Sequence, residues 1–337
     1  MKLNHKSTLL FTLLFATIIF TLINTVEAPP PTINLTTEPI YNLGGKITIT
    51  GNVTAPDGTL ITDLIITVQA LNPKNETIVL RSLLIGSNPP EDAAPMEILE
   101  FYPCDQYGSA KYTFKRGGDM GFKIKIKNNA ATSYTIKVPI YIQYSNELPY
   151  KVFEIYSGTL EPYQTITAFT WPVPIPSDAP LGTTKAYANI VDKYPNVGGR
   201  AFALEKETTF QITASASSTS QNAVQTQATE GTFTISFITN PYGGILGNYS
   251  IYAAALYPPY LLTARKTTRV ILIGDITGPY GVPDNVVDII DIAKVSRAYG
   301  KTVPPADPIC DLDKDGVVDI IDIAMVSKNY GKYGTLP

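Results

Sequence analysis

Five aspartates fall within twelve residues at 311–322, D-L-D-K-D-G-V-V-D-I-I-D. The spacing puts side-chain oxygens at loop positions one, three, five, nine and twelve, from Asp311, Asp313, Asp315, Asp319 and Asp322, and offers the Val317 backbone carbonyl at position seven. A hard cation such as Ca²⁺ takes six to eight oxygens at roughly 2.3–2.6 Å, and a glycine at position six, here Gly316, supplies the left-handed turn that wraps the ligands round one centre. A merely solvated acidic loop beside a helix has no need of this spacing.

The string VVDIIDIA that overlaps the loop at residues 317–324 occurs once before, at residues 286–293. Sliding the later register back without a gap places Tyr280 and Val282 at positions one and three, where neither side chain ligates a hard cation. Treating residues 279–283 as an inserted bulge restores a ligand set: Asp275, Thr277, Asp284, the Val286 carbonyl, Asp288 and Asp291, with Asn285 in the glycine slot. Asn tolerates left-handed backbone better than most residues with a side chain. The expectation is two bound Ca²⁺ ions; a metal-free first turn, kept only for symmetry, is the alternative for this copy.

After each loop the apolar period becomes helical, with Ile292, Val295 and Tyr299 on one stripe, Ile323, Val326 and Tyr330 on the other, and Gly300 and Gly331 as stops. No helix-forming run precedes either loop. Two tandem half-EF-hands of this kind resemble a dockerin domain over residues 274–332, and the module is expected to occupy residues 274–333. The resemblance implies docking onto a cohesin-like domain of another protein through loop positions ten and eleven and the following helix. Those positions are Ile289, Ile290, Ser296 and Arg297 in the first copy, and Ile320, Ile321, Ser327 and Lys328 in the second. The isoleucine pairs stand where many dockerins carry hydroxyl residues, implying a more apolar contact.

Lys2 and Lys6 precede an apolar run of about fifteen residues from Leu9 to Ile23, and Val26-Glu27-Ala28 follows. This reads as a secretory signal over residues 1–28, short for a membrane span of ~20 residues; an uncleaved anchor, the only route to membrane attachment, is the alternative. An extracellular or cell-surface location follows. Net charge is −3 with 16% charged residues, so the basic patches that nucleic acids require are missing. The two cysteines, Cys104 and Cys310, are compatible with one disulfide in an oxidising compartment, with free thiols or with an intermolecular bond.

Between residues 31 and 273 period-two runs broken by Gly, Pro, Asn and Asp recur at sandwich spacing. The clearest are residues 47–53, 64–71, 77–84, 122–127, 134–143, 165–171, 184–190 and 201–212. The central stretch holds enough strands for an immunoglobulin-like sandwich, whereas the segments on either side are each too short and would expose unpaired edges. The expected architecture is therefore mostly β: one Ig-like β-sandwich from residues 31–90 plus 230–273, a second over residues 100–213 inserted in it, a linker at 214–229, then the small α-helical calcium module. Three separate small domains are the alternative. Residues 101–212 resemble the CARDB (cell-adhesion-related) type in IPSDAPLG at 175–182 and YANI at 187–190, echoed by LGNYSIYAA at 246–254.

Catalytic chemistry is poorly provided for. The one histidine, His5, lies in the leader, so no Ser-His-Asp triad, Cys-His dyad or histidine metal site is available to the exported part. A carboxylate pair of glycosidase type would have to come from Glu97, Glu100, Glu154, Glu161, Glu205 and Glu207, and nothing in their spacing selects two. Tyr141, Tyr144, Tyr150, Tyr156, Tyr163 and Trp171 offer rings for a glycan, or for the core. The expectation is a non-catalytic surface or scaffold-associated protein with a docking tail and an adhesive or spacer body. The alternatives are a carbohydrate-binding component of a polysaccharide-degrading assembly and a calcium-braced structural surface protein. Glycosylation triplets at Asn34, Asn52, Asn75 and Asn248 permit export without requiring it.

Overall fold

A computed structural model describes residues 29–88, 94–214 and 231–337. The expected signal at 1–28 and nearly all of the 214–229 linker lie outside the described residues. Among the described residues no helix is long and apolar enough to cross a membrane.

The chain is mostly β. Strands β1 (Thr32–Thr36), β2 (Ile40–Asn42), β3 (Lys46–Thr54), β4 (Leu64–Leu71) and β5 (Thr77–Ile85) come first. Then follow β6 (Met96–Cys104), β7 (Thr113–Lys115), β8 (Asp119–Asn128), β9 (Tyr134–Gln143), β10 (Pro149–Leu160), β11 (Thr165–Pro174), β12 (Gly182–Ala188) and β13 (Lys206–Thr213). The chain closes with β14 (Thr232–Ile238), β15 (Tyr242–Ile245), β16 (Gly247–Tyr257), β17 (Tyr260–Ile271), helices α1 (Ile289–Ala298) and α2 (Ile320–Asn329), and β18 (Tyr333–Thr335).

Pairing joins the beginning of the body to its end. A three-stranded sheet has the order β1-β3-β14, and a five-stranded sheet the order β2-β17-β16-β4-β5. Ile47, Ile49, Phe233 and Phe237 of the first share one buried cluster with Ile66, Val68, Ile251 and Val270 of the second. Residues 96–213 repeat the plan, with sheets β11-β8-β6 and β10-β9-β12-β13-β7 closing on Phe122, Ile124, Val138, Ile140 and Phe210. In both five-stranded sheets the terminal short strand is parallel to its neighbour, β2 to β17 and β7 to β13.

β3 alternates buried and half-exposed residues as its sequence KITITGNVT predicts for a half-buried strand. β4, LIITVQAL, is buried at every position, because its outer face is covered: Gln69 Oε1 accepts a 2.9 Å bond from the Asn196 amide, between β12 and β13. A strand covered on both faces loses the alternation and reads as a continuous apolar run.

The seam between the two pairs of sheets is buried and polar. Arg81 on β5 donates from Nε to both Glu205 oxygens at 2.9 Å, and its guanidinium lies 3.7 Å from the centroid of the Tyr187 ring, itself stacked on Tyr141 at 5.6 Å. The Ser82 amide donates to Glu205 at 2.9 Å, and Gln143 reaches the Ser236 carbonyl at 3.1 Å. Residues Pro31–Pro337 accordingly cluster as one compact unit.

Two expected strand boundaries are amended. β6 starts at Met96, ahead of the expected boundary at residue 100, and is the edge strand next to β8. β13 starts at Lys206, because residues 201–205 turn inward to bring Glu205 to Arg81. Cys104 and Cys310 are free thiols, both buried. Cys104 sits opposite Gly121 on the β6–β8 ladder, whereas Cys310 belongs to the core that reaches into the tail, so no bridge joins them.

Candidate metal centre

Each loop runs directly into a helix whose first turn is built from the expected ligands. Asp288 caps α1 by accepting from the Ile290 amide at 2.7 Å, and Asp319 caps α2 by accepting from Ile321 at 2.6 Å. Asp291 and Asp322 complete a capping box in each case, so positions nine and twelve satisfy amides that a helix start leaves unpaired. Both position-twelve carboxylates are fully buried. Asp291 accepts from Ile276 and Thr277 at 2.8 and 2.9 Å, and Asp322 from Leu312 at 2.6 Å, which folds the front of each loop over its own helix.

In the second loop, oxygens of Asp311, Asp313 and Asp315 lie within 4.8 Å of one another. Gly316 has φ 93°, and its amide donates to Asp311 Oδ2 at 3.0 Å. The other Asp311 oxygen, Oδ1, is buried without any hydrogen-bond partner. An unpaired buried carboxylate oxygen costs several kcal/mol of solvation unless a cation meets it. Among the described residues no lysine or arginine forms an ion pair with a loop carboxylate. The donor set is all oxygen and suits a hard divalent ion.

The first loop carries the gap, and among the described residues its carboxylates do not gather into a group of three as Asp311, Asp313 and Asp315 do. Residues 279–283 loop out beyond a turn in which the Gly281 amide donates to the Gly278 carbonyl at 2.9 Å, leaving Tyr280 94% exposed. Asn285 adopts φ 67°, the left-handed conformation required in the glycine slot. The Asp275 carboxylate accepts from the Asp284 amide at 3.0 Å and the Asn285 amide at 2.8 Å, so both of its oxygens have partners. Burial, ahead of the charges of Asp291 and Asp284, raises the Asp275 pKa above the ordinary value. Asp313 is raised as well, by desolvation first and then by Asp315, Asp322 and Asp311.

The copies are tied together by an exchange of backbone bonds. Gly300, after α1, donates to the Val318 carbonyl, and Val318 to Lys301, at 2.8 and 2.9 Å. Gly331, after α2, donates to Val287, and Val287 to Lys332, at 2.8 and 3.0 Å. Each loop is therefore held by the segment leaving the other helix, which is an internal two-fold relation. It breaks at Tyr333, which also begins β18, parallel to β15 of the body. Asn42 donates to Asn329 Oδ1 at 2.7 Å, the Thr335 carbonyl accepts from Leu246 at 2.8 Å, and Val287, Val295, Val318 and Val326 belong to the same buried cluster as the sheets.

The residues expected to meet a partner are all exposed. Ile289 and Ile290 are 63% and 40% accessible, Ile320 and Ile321 62% and 49%, and Ser296, Arg297, Ser327 and Lys328 are exposed beside them. Val295 and Val326 are buried as the helical stripe predicts, but Tyr299 and Tyr330 are 56% and 58% exposed. Each is the C-cap with extended backbone, which turns it out of the stripe.

The six glutamates do not converge. Glu205 pairs with Arg81, Glu207 with Lys185, Glu154 with Lys137 and Glu100 with Lys125, while Glu97 accepts from Asn129 and Glu161 from Ser133. Of the aromatics, Tyr141 is in the seam, Tyr144 stacks on Tyr150 at 5.1 Å, and Tyr163 is exposed on a tight turn. The sequence reading missed β18, a three-residue strand too short for any periodicity.

No family model matches the chain, and no curated protein does. Solved structures share parts of it at low similarity. The alkylpurine DNA glycosylase AlkC of Pseudomonas fluorescens, bound to DNA containing an abasic site analogue, matches 36% of this chain at 12% identity and TM-score 0.28. The chain spans 31% of the length of that protein. The C-terminal domain of wzt matches 39% of this chain and 80% of its own at 9% identity and TM-score 0.30. A β-glucuronidase of Bacteroides uniformis matches 50% and 26% of the two chains at 8% identity and TM-score 0.27. Likenesses this slight carry no argument about this chain.

Proposed function

We propose that this is an exported, non-catalytic surface or scaffold-associated protein whose C-terminal dockerin-like module holds two Ca²⁺ ions and docks onto a cohesin-like partner domain. The body is read as two Ig-like sandwiches, the CARDB-like one inserted into the other. The observation that carries the reading is the buried, unpartnered Asp311 Oδ1 within the Asp311–Asp313–Asp315 triad. Asp311, Asp313, Asp315, Asp319, Asp322 and the Val317 carbonyl would hold one ion. Asp275, Thr277, Asp284, Asp288, Asp291 and the Val286 carbonyl would hold the other. Calcium would supply charge that satisfies the loops and fixes the start of each helix, where the exposed isoleucine pairs form an apolar contact.

A second role is favoured by β18 and the Asn42–Asn329 bond: the module braces the body as well as docking. Calorimetric titration of Ca²⁺ into the chelated chain tests the first reading, with two ions bound and Asp311→Asn removing one. A chain that takes up no calcium overturns it. A rise in the melting temperature of the whole chain with calcium supports the brace, and a body that melts identically in calcium and chelator removes it.

A further inference from the structure

A groove borders the first acidic loop at Tyr333, which bridges to Val286, while its lining includes none of the expected metal ligands. It is half-open, of about 700 Å³, and lies where the two pairs of sheets meet the C-terminal strand. Its walls carry five tyrosines from five places in the chain: Tyr144 after β9, Tyr150 on β10, Tyr242 on β15, Tyr249 on β16 and Tyr333 on β18. Tyr242 and Tyr333 stand 6.3 Å apart at the mouth and are 59% and 44% exposed. Tyr144 and Tyr150 form the stacked pair on the other side.

The polar groups of the lining include no cation. Asn146 and Asn240 contribute amides and Asp178 a carboxylate, Asn72 and Thr239 are bonded within the fold, and among the described residues no lysine or arginine lines the groove. Tyr144 is only 8% exposed, and its hydroxyl is buried with no hydrogen-bond partner. A buried hydroxyl without a partner is a cost that a ligand hydroxyl removes. Rings that present a flat apolar face, amides that both donate and accept, and an absence of cations match a pyranose chain, which is apolar on its ring face and hydroxylated at its rim. An anion would find no counter-charge, and Asp178 would repel it.

We propose that this groove binds a neutral oligosaccharide, stacked on Tyr242 and Tyr333 and hydrogen-bonded at depth to Tyr144. The inference stands apart from the docking reading, since the groove residues are not loop ligands. It also differs from a glycan face read from sequence, because Tyr242, Tyr249 and Tyr333 come from elements outside the 141–171 cluster and meet Tyr144 and Tyr150 only in the folded chain.

The test is titration of the full chain with cellohexaose, xylohexaose and mannohexaose, with a hexuronate oligomer as the anionic control and a random peptide library as the polypeptide control. At least one neutral hexasaccharide is expected to bind and the hexuronate is not. Tyr242→Ala combined with Tyr333→Ala is expected to weaken binding by about tenfold or more. Tyr144→Phe keeps the ring and removes only the unpartnered hydroxyl, so it should lower glycan affinity about fivefold without lowering the melting temperature. The proposal is overturned if none of the neutral sugars binds, if the peptide library or hexuronate is preferred, or if the tyrosine variants bind as the wild type does.

Discussion

Glu205 and Asp311 are both buried acids, 6% and 8% exposed, and they differ in where their counter-charge comes from. Glu205 has Arg81 against both oxygens and the Ser82 amide as a further donor, so the seam of the body closes on itself. Asp311 has one amide on Oδ2 and nothing on Oδ1. The fold satisfies one buried carboxylate fully and leaves the other bare beside two further aspartates, and that bare oxygen is the one the proposed cation would meet. The first copy shows a milder form of the same arrangement, since Asp275 has amides on both oxygens.

The largest expected effect breaks the self-satisfied side. Arg81→Ala leaves Glu205 charged, buried and unpaired, and should cost about 3–5 kcal/mol in urea unfolding, equally in calcium and in chelator. A loss below about 1 kcal/mol would mean that water reaches the seam, and the contrast would dissolve. Next comes Asp311→Ala. In saturating calcium it should forfeit about 2.7 kcal/mol of ligand-linked stability, the value at a hundredfold excess over Kd, while in chelator it should be neutral or stabilising because like charges are relieved. Destabilisation of equal size in both buffers would show that Asp311 is a structural acid like Glu205.

Removing residues 333–337 sharpens the difference between the copies. β18 and the Asn285 carbonyl, which accepts from Gly334 at 2.9 Å, support only the first loop, so calcium affinity at that site should fall about tenfold while the second holds. Titration of the truncated chain, compared with Asp311→Asn and Asp275→Asn, separates the two. Equal weakening would place the coupling in the paired loops instead of the strand.

The smallest effect concerns pH. Asp275 and Asp313 are held above the ordinary value of 3.8, so the metal-free folded chain retains protons that the unfolded chain releases. That contribution is fully present below the ordinary value and is lost as pH rises through the raised ones. Calcium needs the ionised form, so its affinity should run the other way, climbing through the same acidic window and flattening once both groups are ionised. Calorimetry over a pH series checks both signs. An affinity that stays constant through the window would show that these carboxylates are not ligands.

Much of the candidate site was legible because its logic is local. Positions one to twelve of a loop, the glycine slot and the caps at Asp288 and Asp319 are fixed by residues a few steps apart, and even Asn285 could be assigned its left-handed backbone from its place in the gapped register. Strands such as β3 and β9 were legible through period two for the same reason. Tyr299 and Tyr330 were misplaced because a cap residue leaves the helical period by one rotation of the backbone, which periodicity does not register. Cys104 and Cys310 were two cysteines with no distance between them until the sheets were laid out.

The sequence by itself determined the spacing of the loop aspartates, the duplication of the loop, the helices after each copy and the β-rich body, since each is written in spacings within one segment. Tertiary structure alone decided that Arg81 would neutralise Glu205 across 124 residues, that a three-residue strand would tie the tail to β15, and that five scattered tyrosines would share a groove. Those are pairings between segments, set by which faces the sheets bury together, and no local period encodes them.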